Sequence, residues 1–122
     1  MEDYKLGLVE AKFADIVWSQ APMTTKELVA ACEKALNWKR TTTYTVLKKL
    51  CERGIFHTED GQVSVLIGRD DFYAMQSEHF VAQTYDGSLP AFIAAFTSRK
   101  RLTEDEIVEI RRMIDAYEEG GK

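Results

Sequence analysis

Apolar residues recur at three- and four-residue steps through the first part of the chain, which is the spacing of an amphipathic helix. This pattern predicts a first helix over residues 6–21, with Gly7 as its N-cap. A second helix is predicted over residues 24–36, opened by a capping box between Thr24 and Glu27. The apolar face continues after a short turn and predicts a third helix over residues 40–53.

The period of the pattern changes from helical to alternating after Gly54, a residue suited to ending the third helix. Residues 55–58 and 63–67 are rich in β-formers, and Asp60-Gly61 between them is a strong signal for a hairpin turn. Three helices followed by a hairpin is the element order of a winged helix-turn-helix. The predicted fold class is therefore mainly α with a small β-hairpin.

Helical periodicity returns from Asp70 in three short amphipathic segments. Three helices of this size make a poor core alone, so their apolar faces favour burial against the same segment of a second subunit. We therefore predict a winged-helix domain over residues 1–69 and a helical dimerisation domain over residues 70–122. The residues predicted to form the dimer are Phe72, Met75, Phe80, Leu89, Phe92, Ile93, Phe96, Ile107, Ile110, Ile114 and Tyr117.

The formal net charge of −4 is unevenly distributed along the chain. Residues 1–69 contain ten basic and nine acidic residues, whereas residues 70–122 contain six and eleven. Residues 39–53 alone contain five basic residues and one acidic residue. A local basic stripe is what contact with phosphate requires, so the acidic total does not exclude a nucleic-acid partner.

The third predicted helix carries the sharpest functional signal. Hydroxyls and amines project from the side opposite its apolar face, as suits a DNA groove. A merely solvated face is the alternative, but such faces usually mix charge signs, and outward threonines are poor helix formers. Tyr44 is ambiguous between DNA contact and partial burial. The residues predicted to contact DNA are Lys39, Arg40, Thr41, Thr42, Tyr44, Thr45, Lys48 and Lys49, with Gln62 and Arg69 as further candidates beside an acidic hairpin tip.

The cysteines and histidines show no pattern typical of a catalytic or metal site. Cys32 and Cys51 fall at helical apolar spacings and are predicted to be reduced core thiols. His57 and His79 have no partner readable from the sequence, so neither a metal, a cofactor nor an enzymatic activity is predicted. The absence of an apolar run of membrane-spanning length or of a secretory signal favours a cytoplasmic protein without a membrane partner.

An ordered set of residues is shared with a known family. It runs from Glu10 and Trp18, through residues 22–28, Trp38, residues 42–54 and Asp60-Gly61, to residues 87–89 and 102–107. In this order and spacing the chain resembles the penicillinase-repressor family, which includes methicillin-resistance and copper-responsive repressors. The resemblance covers residues 6–117. It implies a winged-helix DNA-binding domain, a helical dimerisation domain and repression by occupying a dyad-symmetric promoter site.

Three positions depart from the family pattern. Members cut by an antibiotic-activated protease have an Asn-Phe bond where this chain has Ala95-Phe96, and copper-responsive members end in a cysteine cluster where this chain has no cysteine after Cys51. Lys39-Arg40 replaces the Ser-Pro pair that usually opens the third helix. The inducing protease or ligand is thus left unknown by the sequence.

The prediction is a sequence-specific DNA-binding repressor that acts as a homodimer on double-stranded operator DNA. The alternative is a winged-helix adaptor that binds protein rather than DNA.

Overall fold

The computed structural model describes residues 5–120. Six helices and three short strands make up this part of the chain, so the mainly helical fold class with a small sheet is confirmed. The order is α1 (Leu8–Gln20), β1 (Met23–Thr24), α2 (Thr25–Leu36), α3 (Arg40–Glu52), β2 (Phe56–Glu59), β3 (Gln62–Val65), α4 (Arg69–Thr84), α5 (Leu89–Arg99) and α6 (Glu104–Gly120).

The capping residues read from the sequence hold the helix ends. The Thr24 hydroxyl accepts from the Glu27 N–H at 3.0 Å, and the Glu27 carboxylate accepts from the Thr24 N–H at 2.9 Å. Gly54, at φ 82°, follows α3, where a left-handed residue lets the chain turn away at little steric cost. The short turn between α2 and α3 depends on Asn37, which takes φ 58°.

The hairpin forms at the predicted Asp60-Gly61 turn, whose residues have φ values of 53° and 75°. Positive φ at both positions is the requirement of a type I′ turn, which matches the twist of the flanking strands. β3 also pairs with β1, giving a three-stranded antiparallel sheet in the order β1-β3-β2. We did not predict β1, because two residues are too few to show an alternating pattern.

Aromatic rings of α1 form the centre of the core. Phe13 is fully buried, stacks on Trp38 at a centroid distance of 5.7 Å and meets Phe56 edge-on at 6.4 Å. Trp18 packs against Phe56 and donates its indole N–H to the Ile67 carbonyl at 2.9 Å. This one cluster thus joins α1, the turn before α3 and the sheet.

Phe72 requires a correction to the predicted dimer residues. It is only 1% exposed and packs against Trp18 and Tyr73, so its side chain has no surface left for a second subunit. The periodicity identified its apolar face correctly but could not show that this face is covered within the same chain. The described residues divide into two compact units after Phe80, within α4, whereas the sequence placed the domain boundary after Arg69.

The second unit, from Val81 onward, leaves much apolar surface uncovered. Ser88 caps the beginning of α5, its hydroxyl accepting from the Ala91 N–H at 3.1 Å, and Thr103, just before α6, forms a capping box with Glu106. Neither helix contains a buried residue. The large exposed apolar residues here are Leu89, Ile93, Phe96, Val108, Ile110, Met113, Ile114 and Tyr117.

Candidate nucleic-acid interface

α3 has one buried side and one open side. Thr43, Leu47 and Leu50 are buried against the core, as the spacing predicts. We call the opposite side, formed by Thr41, Thr42, Thr45 and Lys48, the outward face; all four residues are exposed. The buried side fixes the rotation of the helix, and this sets the direction of the outward face.

The Thr45 side chain bonds locally while remaining accessible. The Thr45 hydroxyl donates to the Thr41 carbonyl at 2.9 Å, one helical turn back. This bond satisfies the hydroxyl hydrogen within the helix, although back-bonding of this kind slightly destabilises helices. The oxygen lone pairs and the methyl group of Thr45 remain available, and these groups can accept from a base or contact a thymine methyl.

The beginning of α3 presents cations and free backbone donors. Lys39 is the N-cap and makes no side-chain cap, and the N–H groups of residues 40–42 precede the first helical hydrogen bond, from Thr43 to the Lys39 carbonyl. Such groups attract anions. Lys39 and Arg40 are exposed.

Tyr44 lies at the border of this surface and is half-buried. The Arg40 guanidinium is 5.5 Å from the centre of its ring. A hydrogen bond with Thr25, together with Arg40, holds the pKa of the Tyr44 phenol below its ordinary value. Tyr44 thus stays a predicted DNA contact at the edge of the outward face, next to Arg40.

Lys49 lies on the flank of α3 that faces α1. Its Nζ is 2.6 Å from Oε2 of Glu10, whose other oxygen accepts from the Gly7 N–H at 3.1 Å. Lys49 and the Gly7 N–H hold the pKa of Glu10 below its ordinary value, although partial burial opposes them. The carboxylate therefore stabilises the fold at neutral pH, and this contribution is lost as the pH falls through the lowered pKa.

The hairpin adds acidic groups beside α3. A groove of about 530 Å³ lies between the hairpin and α3. Its lining residues include Lys48, Glu52, Glu59 and Asp60. Gln62 is exposed at the start of β3, next to the turn. Three carboxylates around one ammonium group make this groove a poor place for phosphate, so the outward face is the stronger candidate surface.

Arg69, a further candidate from the sequence, has intramolecular partners. Its Nε donates to Oδ1 of Asp15 at 3.2 Å, and its guanidinium lies 5.2 Å from the centre of the Tyr73 ring. Asp15 could not be predicted as this partner from the sequence, because the two residues are 54 positions apart. The structure thus places Arg69 in contact with α1 and α4.

Both cysteines lie against the core. Cys32 is buried and Cys51 half-buried, and neither forms a disulfide. Burial raises the pKa of each thiol. A raised pKa suppresses the reactive thiolate at neutral pH, which agrees with the predicted structural role. Among residues 5–120 no three histidine, cysteine or carboxylate side chains cluster as metal ligands would, and no helix there has the length and hydropathy to cross a membrane.

Comparison with protein families identifies the group to which the chain belongs. The model of the penicillinase repressor family matches residues 6–116. The chain belongs to this family. It is 24% identical to a penicillinase repressor of Bacillus licheniformis over 112 residues, which cover 88% of each chain. It is 21% identical to the methicillin resistance regulatory protein MecI of Staphylococcus aureus (strain Mu50 / ATCC 700699), over 92% of this chain and 94% of that protein.

A solved structure supports the winged-helix fold. The solution structure of the DNA-binding domain of the repressor BlaI matches with a TM-score of 0.50 and 21% identity, covering 58% of this chain and 93% of that one. At this identity the match concerns the fold alone. The winged-helix fold predicted from the sequence is confirmed.

Proposed function

We propose that this member of the penicillinase repressor family is a sequence-specific DNA-binding transcriptional repressor that acts in the cytoplasm as a homodimer on a dyad-symmetric operator. The observation that carries the proposal is the outward face of α3. Hydroxyls, methyl groups and an ammonium group stand exposed on the helix that follows the turn of a helix-turn-helix. This is the helix that such proteins place in the major groove.

The exposed apolar surface of the second unit supports the dimer. Ile110, Ile114 and Tyr117 lie on one side of α6, together with Met113, and all are exposed. Soluble chains rarely expose an apolar stripe of this kind unless it forms an interface. A second copy is the economical partner, because a twofold axis buries the same stripe on both chains.

A dimer constrains the DNA site. Two α3 helices related by a twofold axis have to enter the groove on one side of the duplex. The half-site centres are therefore expected about 10–10.5 base pairs apart, or at multiples of this spacing. Within each half-site Thr42 and Thr45, three positions apart, would reach the bases together, while Lys48 would lie against the backbone. Lys39, Arg40 and Thr41 would contact phosphates near the start of the helix.

Replacing Lys48 by Ala tests the proposed orientation of α3. The substitution removes one phosphate contact per bound subunit, so binding should weaken for all DNA sequences alike. The slope of log K against log salt, which is negative, should become shallower by about 0.9 for each bound subunit. Titrations at several salt concentrations, with operator and scrambled duplexes, measure both effects.

Lys34→Ala serves as the control, because it removes the same charge from the last turn of α2. An unchanged affinity and salt slope in Lys48→Ala would show that α3 is not oriented as proposed. Failure of the unmodified chain to bind any duplex would favour the adaptor alternative.

A further inference from the structure

The Glu10 carboxylate connects the beginning of α1 with the end of α3. Besides Lys49 at 2.6 Å and the Gly7 N–H at 3.1 Å, it lies 3.8 Å from Nη1 of Arg53. Arg53 in turn donates through Nη2 to the Lys5 carbonyl at 2.7 Å. The Glu10 carboxylate of α1 thus contacts Lys49 on α3, Arg53 just after that helix and Gly7 just before α1.

The two lysines near the end of α3 therefore differ in their surroundings. Lys48 is exposed on the outward face, whereas Lys49, one position further round the helix, is directed toward α1. The sequence predicts both lysines among the DNA contacts, and only the structure shows that Lys49 has a carboxylate partner. The ion pair makes Lys49 and Glu10 together electrically neutral.

We propose that Glu10 restrains Lys49 and thereby lowers the affinity of the chain for DNA. This proposal rests on the proposed function. Glu10 is a positioning residue: it touches no DNA, but it withholds one of the basic groups of α3 from the phosphates. Lys48 supplies the phosphate contact that Lys49 does not.

The burial of the two partners decides which of them is the anchor. The Glu10 side chain is 20% exposed and that of Lys49 59% exposed. Moving Lys49 to a phosphate would leave a mostly buried carboxylate without its nearest cationic partner, which is unfavourable. The pair is therefore more persistent than one between two fully exposed side chains.

Glu10→Gln is the variant that tests the restraint. Glutamine retains an oxygen for the Gly7 N–H but removes the charge that holds Lys49. The variant should bind scrambled and specific duplexes several-fold more tightly at low salt, with a slope of log K against log salt that is steeper by up to about 0.9 per bound subunit. The gain should disappear at high salt and in the double variant Glu10→Gln/Lys49→Ala.

A comparison of Lys49→Ala with Lys48→Ala provides a second test, which remains informative if Glu10→Gln folds poorly. Lys49→Ala should leave the salt slope nearly unchanged, whereas Lys48→Ala should reduce it. Equal losses of slope in the two lysine variants would overturn the restraint while leaving the proposed function intact. Absence of salt-dependent binding by the unmodified chain would overturn both proposals.

A measurement without DNA tests the ion pair itself, apart from its effect on DNA binding. A double-mutant cycle of Glu10→Gln and Lys49→Ala in urea unfolding should show coupling between the two side chains. Zero coupling would overturn the restraint whatever the DNA titrations show. A merely structural role of Glu10 would lower stability without strengthening DNA binding, and that outcome would overturn it as well.

Discussion

Replacing Ile114 by Asp is expected to convert the dimer into a monomer and to weaken operator binding by about 100-fold or more. Ile114 is 55% exposed in the single chain, so a carboxylate there is hydrated and the subunit should still fold. In the proposed dimer the same position is buried, and an unpaired buried charge costs about 3 kcal/mol or more. A free-energy change of 2.7 kcal/mol already corresponds to about 100-fold in an equilibrium constant.

Val108→Asp provides a closely matched control. Val108 is also 55% exposed and lies on the same helix, but six positions away, which is about 120° round the axis. It should therefore remain outside the interface, and its variant should stay dimeric. Sedimentation velocity at micromolar concentration distinguishes the two states. A dimeric Ile114→Asp, or a monomeric unmodified chain, would contradict the proposed interface.

Replacing Phe13 by Ala is expected to lower the free energy of unfolding by about 3–5 kcal/mol. The ring is fully buried between Trp38 and Phe56, so its removal deletes apolar contacts and leaves a cavity in the core. Domains of this size are stabilised by about 5–15 kcal/mol in total. The variant should therefore lose a large share of its stability and unfold at a clearly lower urea concentration.

Leu8→Ala is the matched control for Phe13→Ala. Leu8 lies on the same helix but is 76% exposed, so its truncation should change the free energy of unfolding by less than about 0.5 kcal/mol. Urea unfolding followed by tryptophan fluorescence reports directly, because Trp38 stacks on Phe13. A loss below about 1 kcal/mol in Phe13→Ala would show that this ring is not central to the core.

The elements with local signals were predictable from the sequence. The Thr24 capping box and the Asp60-Gly61 turn each depend on residues within a few positions of one another, and both form as predicted. β1 could not be predicted in the same way. Its pairing with β3, Met23 opposite Val63, is fixed by contacts between residues 40 positions apart.

In the candidate site, too, features set by neighbouring residues were predictable, whereas contacts between distant residues were not. Helical phase correctly separated the buried Thr43 from the exposed Thr42 and Thr45 on α3. It could not show that Lys49 pairs with Glu10 or that Arg69 pairs with Asp15, because those partners lie on another helix. A pattern along one helix identifies which side of it is apolar, but the partners of its polar side chains are determined by tertiary packing.

The central claim, that the outward face of α3 reads DNA sequence, is tested most directly by Thr45→Ala. The operator is first located by footprinting the unmodified chain on DNA from upstream of its own gene. Affinities of both proteins are then compared for the operator, for single-base variants and for scrambled DNA. Alanine is the better helix former, so the variant should fold normally. We predict a loss of discrimination of about 1–3 kcal/mol confined to one base position in each half-site. Unchanged discrimination at every position, with equal affinity for all duplexes, would contradict the claim.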